Sequence, residues 1–410
     1  MTIAPRTGCP DLVIVGGGPA GLAAAIGARL AGLSAVVLDR GRPPIDTACG
    51  EGLMPDGVAA LRRLGVEPGR LGGHPFRGIR YLDEAAGVEA AGEFPGGGAG
   101  LGLRRTRLHA ALVRRAEEVG VELRWAVAVE RLVQDGERFA VETAGGPLAG
   151  GVVVAADGLR SRLRRWAGLA SRLRRSAGLD GPRPRHPRFG VRRHYRIAAW
   201  TSLVEVWWVD GCEAYVTPAG VEEVGVAILW SPDDRVGEAA AAGAGKASRG
   251  EGRCAFDALF GRFPRLAARL AGAEAASRDR GAGPFRQRAR AVRRGNLVLL
   301  GDAAGYLDAI TGEGLSLAFH QAEALVEAVV AGDLGRYARA CRRLRRLPDA
   351  MTALLLAVER RTWLRRRMVR ALAAEPALFS RLLGVHARSL PLSDFGMRGA
   401  VRLAWGLARR

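Results

Sequence analysis

Three glycines near the start of the chain have the spacing of a dinucleotide-binding turn. Gly16, Gly18 and Gly21 follow a short apolar run, and Pro19 and Ala20 lie at the expected start of a helix. In such a turn the first glycine permits a tight bend, the second lets the backbone approach a pyrophosphate, and the third lets helix and strand pack closely. The N–H groups at the helix N-terminus then bind the anion.

A carboxylate follows at the distance expected for a ribose-binding group. Asp39 ends the second predicted strand and lies 18 residues after Gly21, and the dinucleotide fingerprint places an acid about 20 residues after its glycines. A chain with 57 glycines contains such triplets by chance, but an ordinary glycine-rich turn would not need Asp39. We therefore predict a dinucleotide site formed by this turn, Asp39 and the adjacent Arg40.

A second corner between a strand and a helix carries another acid. Asp157 follows the apolar strand predicted at residues 151–155, and Ser161 is placed to cap the next helix. Corners of this kind are common. The position of Asp157 between the other two motifs is what makes it informative.

The third motif lies at residues 295–314. Gly301 and Asp302 end a predicted buried strand, where the carboxylate can accept hydrogen bonds from ligand hydroxyl groups. Gly312, Glu313 and Gly314 then lead into a helix predicted to reach residue 330. Close backbone approach at that helix N-terminus can stabilise negative charge on a ligand.

Two shorter segments could contribute to the same site. Cys49 and Gly50 lie in a loop punctuated by proline and glycine, and Arg105 lies in the helix predicted to begin after residue 102. The alternative for Cys49 is a buried thiol that behaves as a small hydrophobic side chain.

The cysteines and histidines do not form a metal-binding pattern. The five cysteines are widely spaced without a C-x-x-C pair, and the six histidines are dispersed. This spacing favours neither a disulfide framework nor a zinc site. We predict no metal and expect any redox chemistry to come from an organic cofactor.

The chain is strongly basic, with a formal net charge of +21, and Lys246 is its only lysine. Residues 160–194 contain twelve arginines and one acid, partly because residues 161–170 are nearly duplicated at 171–180, and residues 342–370 contain ten arginines and two acids. Such patches could attract nucleic acid, anionic lipid or an acidic carrier protein. Solvated helix faces are the simpler interpretation, and we expect no nucleic-acid partner.

The chain shows no targeting or membrane-spanning pattern. The first ten residues lack a hydrophobic signal core, and glycines and Pro19 interrupt the longest apolar run. We expect a cytoplasmic protein, with peripheral membrane contact through its arginine-rich surfaces or its C-terminal residues 392–410 as the alternative.

A β-rich region at residues 189–230 predicts a substrate-binding sheet. Its four strands are predicted at 189–197, 202–209, 213–217 and 223–230. Alternation puts Trp207 and Trp208 on opposite faces of one strand. These two residues and Tyr215 are candidates for a substrate pocket, with packing in the core as the alternative for each.

Helices are predicted on both sides of the third motif. One covers residues 254–271, and residues 334–410 are mostly helical with breaks at Pro348, Pro376 and Pro391. We therefore expect three regions. A discontinuous dinucleotide-binding domain covers 1–73, 102–180 and 290–335, a substrate domain covers 74–101 and 181–289, and a helical region covers 336–410.

The three motifs, in this order, resemble the superfamily of FAD/NAD(P)-dependent oxidoreductases that contains group A flavin monooxygenases, flavin halogenases and geranylgeranyl reductases. The resemblance covers residues 11–330. It implies an α/β fold with a Rossmann-like FAD-binding domain of the glutathione reductase and p-hydroxybenzoate hydroxylase type, a β-sheet substrate domain and a helical C-terminus.

The resemblance also implies roles for individual residues. AMP would bind at the first glycine turn, the Cys49–Gly50 loop would lie beside the isoalloxazine ring, and Arg105 would contact FAD. Asp157 would serve FAD and NAD(P)H, and Asp302 the ribityl chain. Family members usually have proline at the position of Ala309.

The branches of this superfamily differ at the segment Glu213–Pro218. Halogenases carry Trp-x-Trp-x-Ile-Pro and a catalytic lysine, whereas this segment reads Glu-Ala-Tyr-Val-Thr-Pro and the lysine lies in a glycine-rich stretch. Geranylgeranyl reductases carry Tyr-x-Trp-x-Phe-Pro, of which Pro218 alone is retained, although the Cys49 loop resembles theirs.

The sequence ranks three functions. The first is an FAD-dependent monooxygenase that uses NADPH or NADH as a transient reductant and hydroxylates or epoxidises a small or medium apolar metabolite. The second is a flavoprotein that reduces or dehydrogenates a carbon–carbon bond of an isoprenoid or carrier-bound substrate. The third is a basic nucleic-acid or membrane-surface binder that has kept a flavin fold. No catalytic base is identified.

Overall fold

A computed structural model describes residues 9–169, 187–232, 253–396 and 399. The second copy of the duplicated decamer, the stretch containing Lys246 and most of the predicted final helix lie outside these residues. The strands in chain order are β1 (Leu12–Val15), β2 (Ala35–Asp39), β3 (Gly52–Leu53), β4 (His74–Phe76), β5 (Gly78–Asp83), β6 (Glu89–Glu93), β7 (Gly100–Gly102), β8 (Glu122–Trp125), β9 (Val129–Asp135), β10 (Arg138–Thr143), β11 (Gly146–Ala149), β12 (Val152–Ala155), β13 (Phe189–Arg196), β14 (Leu203–Val209), β15 (Cys212–Gly220), β16 (Glu223–Trp230), β17 (Glu274–Ala275), β18 (Arg280–Ala282), β19 (Gln287–Arg288), β20 (Arg293–Arg294), β21 (Leu297–Leu299) and β22 (Gly305–Tyr306).

The helices pack against both main sheets and form the C-terminal region. They are α1 (Pro19–Leu30), α2 (Pro55–Arg63), α3 (Arg105–Glu118), α4 (Arg162–Trp166), α5 (Arg253–Phe260), α6 (Pro264–Arg269), α7 (Gly314–Val330), α8 (Leu334–Glu359), α9 (Thr362–Ala374) and α10 (Pro376–His386), with short 3-10 turns at Pro68–Arg70, Pro95–Gly97 and Gly301–Ala304.

The first sheet has six strands in the order β20, β21, β12, β1, β2, β8. All neighbouring pairs are parallel except β20 with β21. The strands β1 and β12 are buried along their whole length, as expected for apolar runs covered on both faces. In the register, Val15 pairs with Ala155 and Ala155 with Leu299. The carboxyl ends of β1, β12 and β21, where the three motifs lie, therefore meet at one edge.

The second sheet has eight strands, with β17, β13, β16, β15, β14, β5 and β6 in that order and β18 beside β13. Alternation along β14 is as predicted. Trp207 packs on one face with Phe256 and Phe263, and Trp208 packs on the other with Met368 and Phe379. The C-terminal helices thus cover the face that carries Trp208.

Two helical expectations were wrong, and several short strands, β11 among them, were not predicted. Residues 254–271 form two helices, because Pro264 begins a new one. Pro348 was expected to end a helix but lies inside α8. Because proline has no N–H, the carbonyl oxygen of Leu344 lacks its helical hydrogen bond, and it accepts one from Nη2 of Arg388 at 2.8 Å instead. The strand β11 was missed because its four residues include Gly146 and Pro147.

The predicted fold class is confirmed. The structure combines a Rossmann-like parallel core with a second, mostly antiparallel sheet and a helical C-terminal region. No helix among the residues described is both long and apolar enough to span a membrane.

Candidate cofactor-binding site

The glycine turn between β1 and α1 has the packing that its sequence predicts. Gly16 has a φ of +115°, and a Cβ there would lie 2.3 Å from the carbonyl oxygen of Ala156. A Cβ on Gly21 would lie 2.0 Å from the carbonyl oxygen of Gly16. Pro19 is the first residue of α1. A Cβ added to Gly18 would lie 3.7 Å from Nη2 of Arg105, so the guanidinium faces this glycine. Gly16 and Gly21 are therefore positions that only glycine can occupy in this turn.

Asp39 is held next to this turn by two backbone groups. Its Oδ2 accepts a hydrogen bond from the N–H of Gly17 at 2.7 Å, and its Oδ1 accepts one from the N–H of Gly41 at 2.7 Å. The carboxylate is half-buried at the end of β2, and the side chain of Arg40 is exposed beside it. This is the position from which an acid can bind a ribose hydroxyl.

Arg105 lies at the start of α3 with its guanidinium over the turn. Burial lowers its pKa, while the nearby Cys49, Asp302, Glu51 and Asp46 favour the charged form. Its Nε is buried, and no hydrogen-bond partner for it exists within the described ranges. A buried, unpaired N–H beside a glycine turn suits a diphosphate, so these residues fit the phosphates of FAD.

The third motif closes the same edge of the sheet. Gly301 has a φ of +60°, and its N–H donates to Oε1 of Gln321 at 3.0 Å. Arg164 donates through Nη1 to the carbonyl oxygens of Asp302 (3.2 Å) and Ala303 (3.0 Å). Burial raises the pKa of Asp302, against the opposing effects of Arg105 and two other arginines.

The loop at residues 305–314 joins this motif to α7. Gly312 has a φ of +68° with no heavy atom within 4 Å of an added Cβ, and Gly314 is the first residue of the helix. Glu313 is buried, with Nδ1 of His386 3.6 Å from its carboxylate, and burial raises its pKa. The N–H groups at this helix start can therefore face a ligand, while Glu313 points to the C-terminal helices.

Cys49 and Gly50 lie next to the third motif. Cys49 Sγ accepts a hydrogen bond from the N–H of Glu51 at 3.4 Å, and burial raises the pKa of the thiol. The carbonyl oxygen of Gly50 accepts a hydrogen bond from the Thr217 hydroxyl at 2.9 Å. The loop is thus fixed against β15 of the second sheet.

Asp157 has a structural function in this corner. Its Oδ2 accepts hydrogen bonds from the N–H groups of Arg162 (2.7 Å) and Leu163 (3.2 Å) at the start of α4. Its Oδ1 is buried and has no hydrogen-bond partner in the part of the chain that the structure covers. The first oxygen caps a helix, and the second could bind a ligand.

The three aromatic pocket candidates separate into two groups. Tyr215 donates its hydroxyl hydrogen bond to the carbonyl oxygen of Ile310 at 2.7 Å, and Trp208 stacks on Tyr81 with 4.7 Å between ring centroids. Both lie on the face of the second sheet that meets the loop at 305–314. Trp207 is completely buried on the opposite face. Trp208 is also almost completely buried, at 1% exposure, so both tryptophans belong to the core, and Tyr215 is the candidate that keeps a partly exposed position beside the 305–314 loop.

Sequence reasoning missed His109, one turn after Arg105 on α3. Its Nδ1 accepts from the N–H of Ile45 at 3.3 Å, so Nε2 carries the proton and donates to the Gly17 carbonyl oxygen at 2.8 Å. Burial lowers its pKa, which keeps the ring neutral. The spacing of four residues from Arg105 on one helix face was the signal that could have identified it.

Sequence reasoning also missed a buried cluster of charged residues behind the 305–314 loop. Arg188 lies 2.5 Å from Glu213, 3.1 Å from Asp308 and 3.3 Å from Glu359. Burial raises the pKa of Glu213 to about 7, although Arg188 opposes this shift. Trp208 Nε1 donates to the other carboxylate oxygen of Glu213 at 2.9 Å. One arginine thus holds three acids from the sheet, the loop and α8.

No group of His, Cys, Asp and Glu in the described segments could hold a metal ion. The structure instead brings the glycine turn, Asp39, Arg105, Asp157, Asp302 and the 305–314 loop to one edge of the parallel sheet, with Cys49 beside them. Fold and site together are those of the FAD-binding class of proteins.

Comparisons with known proteins agree with this class. Residues 10–178 match the family model of the FAD binding domain. Residues 10–178 are therefore an FAD-binding domain of the kind found in FAD-dependent oxidoreductases, and FAD is the cofactor that this domain binds. The resemblance stated from the sequence motifs is thereby confirmed.

Two sequence relatives match over different lengths. The FAD-dependent monooxygenase OpS4 of Beauveria bassiana is 34% identical over 162 residues, which are 37% of this chain and 38% of that protein. The menaquinone reductase of Mycobacterium tuberculosis is 27% identical over 348 residues, 80% of this chain and 78% of that protein. The match to the reductase thus includes the second sheet.

A solved structure shares the fold along almost the whole chain. A flavoprotein/dehydrogenase from Cytophaga hutchinsonii superposes with a TM-score of 0.75 at 16% identity and covers 97% of this chain and 98% of its own. At that identity the likeness shows the fold alone.

Proposed function

We propose that this protein is an FAD-dependent reductase of an apolar substrate with an isoprenoid or quinone character. The observation that carries the proposal is the length of the match to menaquinone reductase, which extends over 80% of the chain, whereas the match to the monooxygenase covers 37%. A shared cofactor domain explains a short match. A match that continues through the substrate domain favours a shared type of substrate, and it reverses the order in which the sequence alone ranks these two functions.

The cofactor would supply the redox chemistry, and the chain would supply binding and orientation. The glycine turn, Asp39 and Arg105 would hold the nucleotide half of FAD, and Asp302 and the 305–314 loop its flavin half. Tyr215 and Thr217 connect β15 to the two loops that would border the flavin, at Ile310 and Gly50. The substrate sheet is therefore fixed directly against the cofactor site.

The overall reaction proposed is the reduction of one carbon–carbon double bond. NADPH or NADH donates a hydride equivalent and a proton comes from the medium, so the double bond gains two hydrogen atoms and the nicotinamide is oxidised. The sequence contains one glycine fingerprint in a strand-to-helix context, so we propose that the nicotinamide binds transiently instead of in a domain of its own.

The second candidate function is monooxygenation of an apolar metabolite. Its specific support is the 34% identity to the monooxygenase OpS4 within the cofactor domain. This reaction would also use NADPH or NADH, but it would consume oxygen and incorporate one oxygen atom into the substrate.

Anaerobic turnover distinguishes the two candidates. Protein loaded with FAD is incubated without oxygen with menaquinone and either NADPH or NADH. The product is then reoxidised in air, and its mass is measured by mass spectrometry. The reductase proposal predicts a product heavier by two hydrogen atoms in the isoprenoid chain. Oxygen-dependent nicotinamide oxidation with a product heavier by one oxygen atom would support the monooxygenase instead.

A further inference from the structure

A buried glutamate beside the cofactor site has no place in the three motifs. Glu51 follows Cys49 and Gly50, and 3% of its surface is exposed. Its φ is +61°, a conformation that residues other than glycine adopt at a cost. Backbone strain of this kind persists where surrounding contacts hold it, and it is concentrated at functional sites.

The carboxylate of Glu51 connects the start of α3 to the second sheet. Its Oε1 accepts the backbone N–H of Arg105 at 2.9 Å, at the start of α3. Its Oε2 contacts Nε2 of His194 on β13 of the substrate sheet. One side chain therefore joins the helix that presents the buried guanidinium to a strand of the other domain.

The hydrogen-bond partners of His194 determine which of its ring nitrogens carries the hydrogen. Nδ1 lies 3.1 Å from Nη1 of Arg192 and 2.8 Å from the hydroxyl of Ser277. A guanidinium can only donate, so Nδ1 accepts and Nε2 carries the hydrogen that His194 donates to Glu51. Burial lowers the pKa of His194 and keeps the ring neutral.

Further charges complete the network. Arg192 forms an ion pair with Asp46, and Nε of Arg280 lies 3.2 Å from the other oxygen of Asp46. Arg192 also lies 3.9 Å from Glu51. These contacts hold both ends of the loop at residues 46–51 against the substrate sheet.

We propose that Glu51 and His194 are positioning residues for FAD. Glu51 fixes the start of α3, so that the guanidinium of Arg105 stays over Gly18, and His194 fixes the carboxylate of Glu51. The negative charge of Glu51 also lies close to Cys49 in the loop that borders the flavin. This inference rests on the FAD site and is independent of which substrate is reduced.

Three variants separate the hydrogen bonds from the charge. In Glu51→Gln the amide cannot accept from both Arg105 and His194, because one of its ends is a donor. In His194→Gln an amide N–H still reaches Glu51. In the double variant Glu51→Gln, His194→Gln, two amides can pair with each other, but the negative charge is missing.

The readouts are the FAD dissociation constant, from fluorescence titration of the apoprotein, and the reduction potential of bound FAD. Glu51→Gln is expected to raise the dissociation constant about tenfold or more, as for a lost charge-assisted hydrogen bond. It should also move the potential to more positive values, because flavin reduction adds negative charge. His194→Gln should change neither strongly.

The double variant gives the decisive comparison. It should recover most of the FAD affinity that Glu51→Gln loses and keep the positive shift of the potential. The matched control is His320→Gln, which removes a histidine that contacts Asp56 at 3.0 Å on other helices, and it should leave both readouts unchanged. Unaltered affinity and potential in Glu51→Gln, or an equal loss in all four variants, would overturn the proposal.

Discussion

Gly21 shows how a single atom decides whether the cofactor turn can form. Since a Cβ there would lie 2.0 Å from the carbonyl oxygen of Gly16, Gly21→Ala must push α1 away from β1. We expect the variant to lose at least 90% of its FAD and to unfold at a lower temperature, in the manner of an overpacked core. FAD content by absorbance and thermal unfolding check this.

Gly27→Ala is the matched control, because it makes the same change in the same helix. A Cβ at position 27 would meet a methyl group of Val326 at 3.3 Å, a side chain that can move by a few tenths of an ångström. Alanine is also the better helix former by about 1 kcal/mol. FAD content should be unchanged; an equal loss in both variants would contradict the packing argument.

Cys49 provides a second test at the residue scale. The thiolate is the reactive form of cysteine, and burial raises the pKa of Cys49. At pH 8 iodoacetamide should therefore label it at least about tenfold more slowly than the exposed Cys9. Peptide mapping by mass spectrometry measures both rates, and denaturant should make them similar. Equal labelling in the folded protein would contradict a raised pKa of the half-buried Cys49.

Glu213, which connects β15 to the 305–314 loop through Arg188, should make the stability of the protein depend on pH. The pKa of Glu213 is raised to about 7 in the folded protein from an ordinary value of 4.5, so the folded state binds the proton more tightly than the unfolded state. The stability that depends on this proton is complete below about pH 4.5 and is lost as the pH rises through about 7. The slope is at most about 1.4 kcal/mol per pH unit.

Denaturant unfolding of the wild type and Glu213→Gln between pH 5 and pH 8 tests this. The free energy of unfolding of the wild type should fall relative to that of the variant as the pH rises. Glu89→Gln, at an exposed position of β6, should follow the wild type. Parallel curves for the wild type and Glu213→Gln would contradict a raised pKa.

The elements could be predicted where local sequence decides them. Pro376 begins a helix at a predicted break, as a proline at the first helical position should. Pro264 follows the same rule, although the sequence analysis did not apply it there. Pro348 does not end α8, because Arg388 from a distant segment satisfies the carbonyl that it leaves free. No local pattern contains that information.

The absence of such information from local sequence also explains which site residues could be predicted. Gly16, Asp39 and Asp302 were predicted because each follows a strand in a known spacing. The Glu51 and His194 pair, 143 residues apart, and the acids around Arg188 depend on how the two sheets meet. Their partners come from loops and strands that sequence spacing does not relate.

At the scale of the whole molecule, the basic surface of α8 is oriented away from the core. Arg342, Arg343 and Arg346 are exposed, while Thr352 and Leu355 on the opposite side of the helix are buried. Arginines on one helix face attract anionic lipid by about 1 kcal/mol each near a membrane surface. We expect binding to vesicles that contain anionic lipid, weakening as salt is raised.

A charge-matched pair of variants tests whether this face is responsible. Changing Arg342, Arg343 and Arg346 to serine should abolish most of the sedimentation with anionic vesicles. The same change at Arg62, Arg70 and Arg77, which are exposed elsewhere, removes the same charge and should have little effect. Equal losses would mean that net charge alone causes binding, and no binding by the wild type would refute the expectation.

The central claim is that FAD lies along the edge where the three motifs meet. A crystal structure of the complex with FAD tests it most directly. We predict a ribose hydroxyl hydrogen-bonded to Asp39, the diphosphate against Gly18 and Arg105, and the isoalloxazine ring between the Cys49 loop and Gly312. FAD bound elsewhere, or bound without contact to Asp39 and Arg105, would contradict the account.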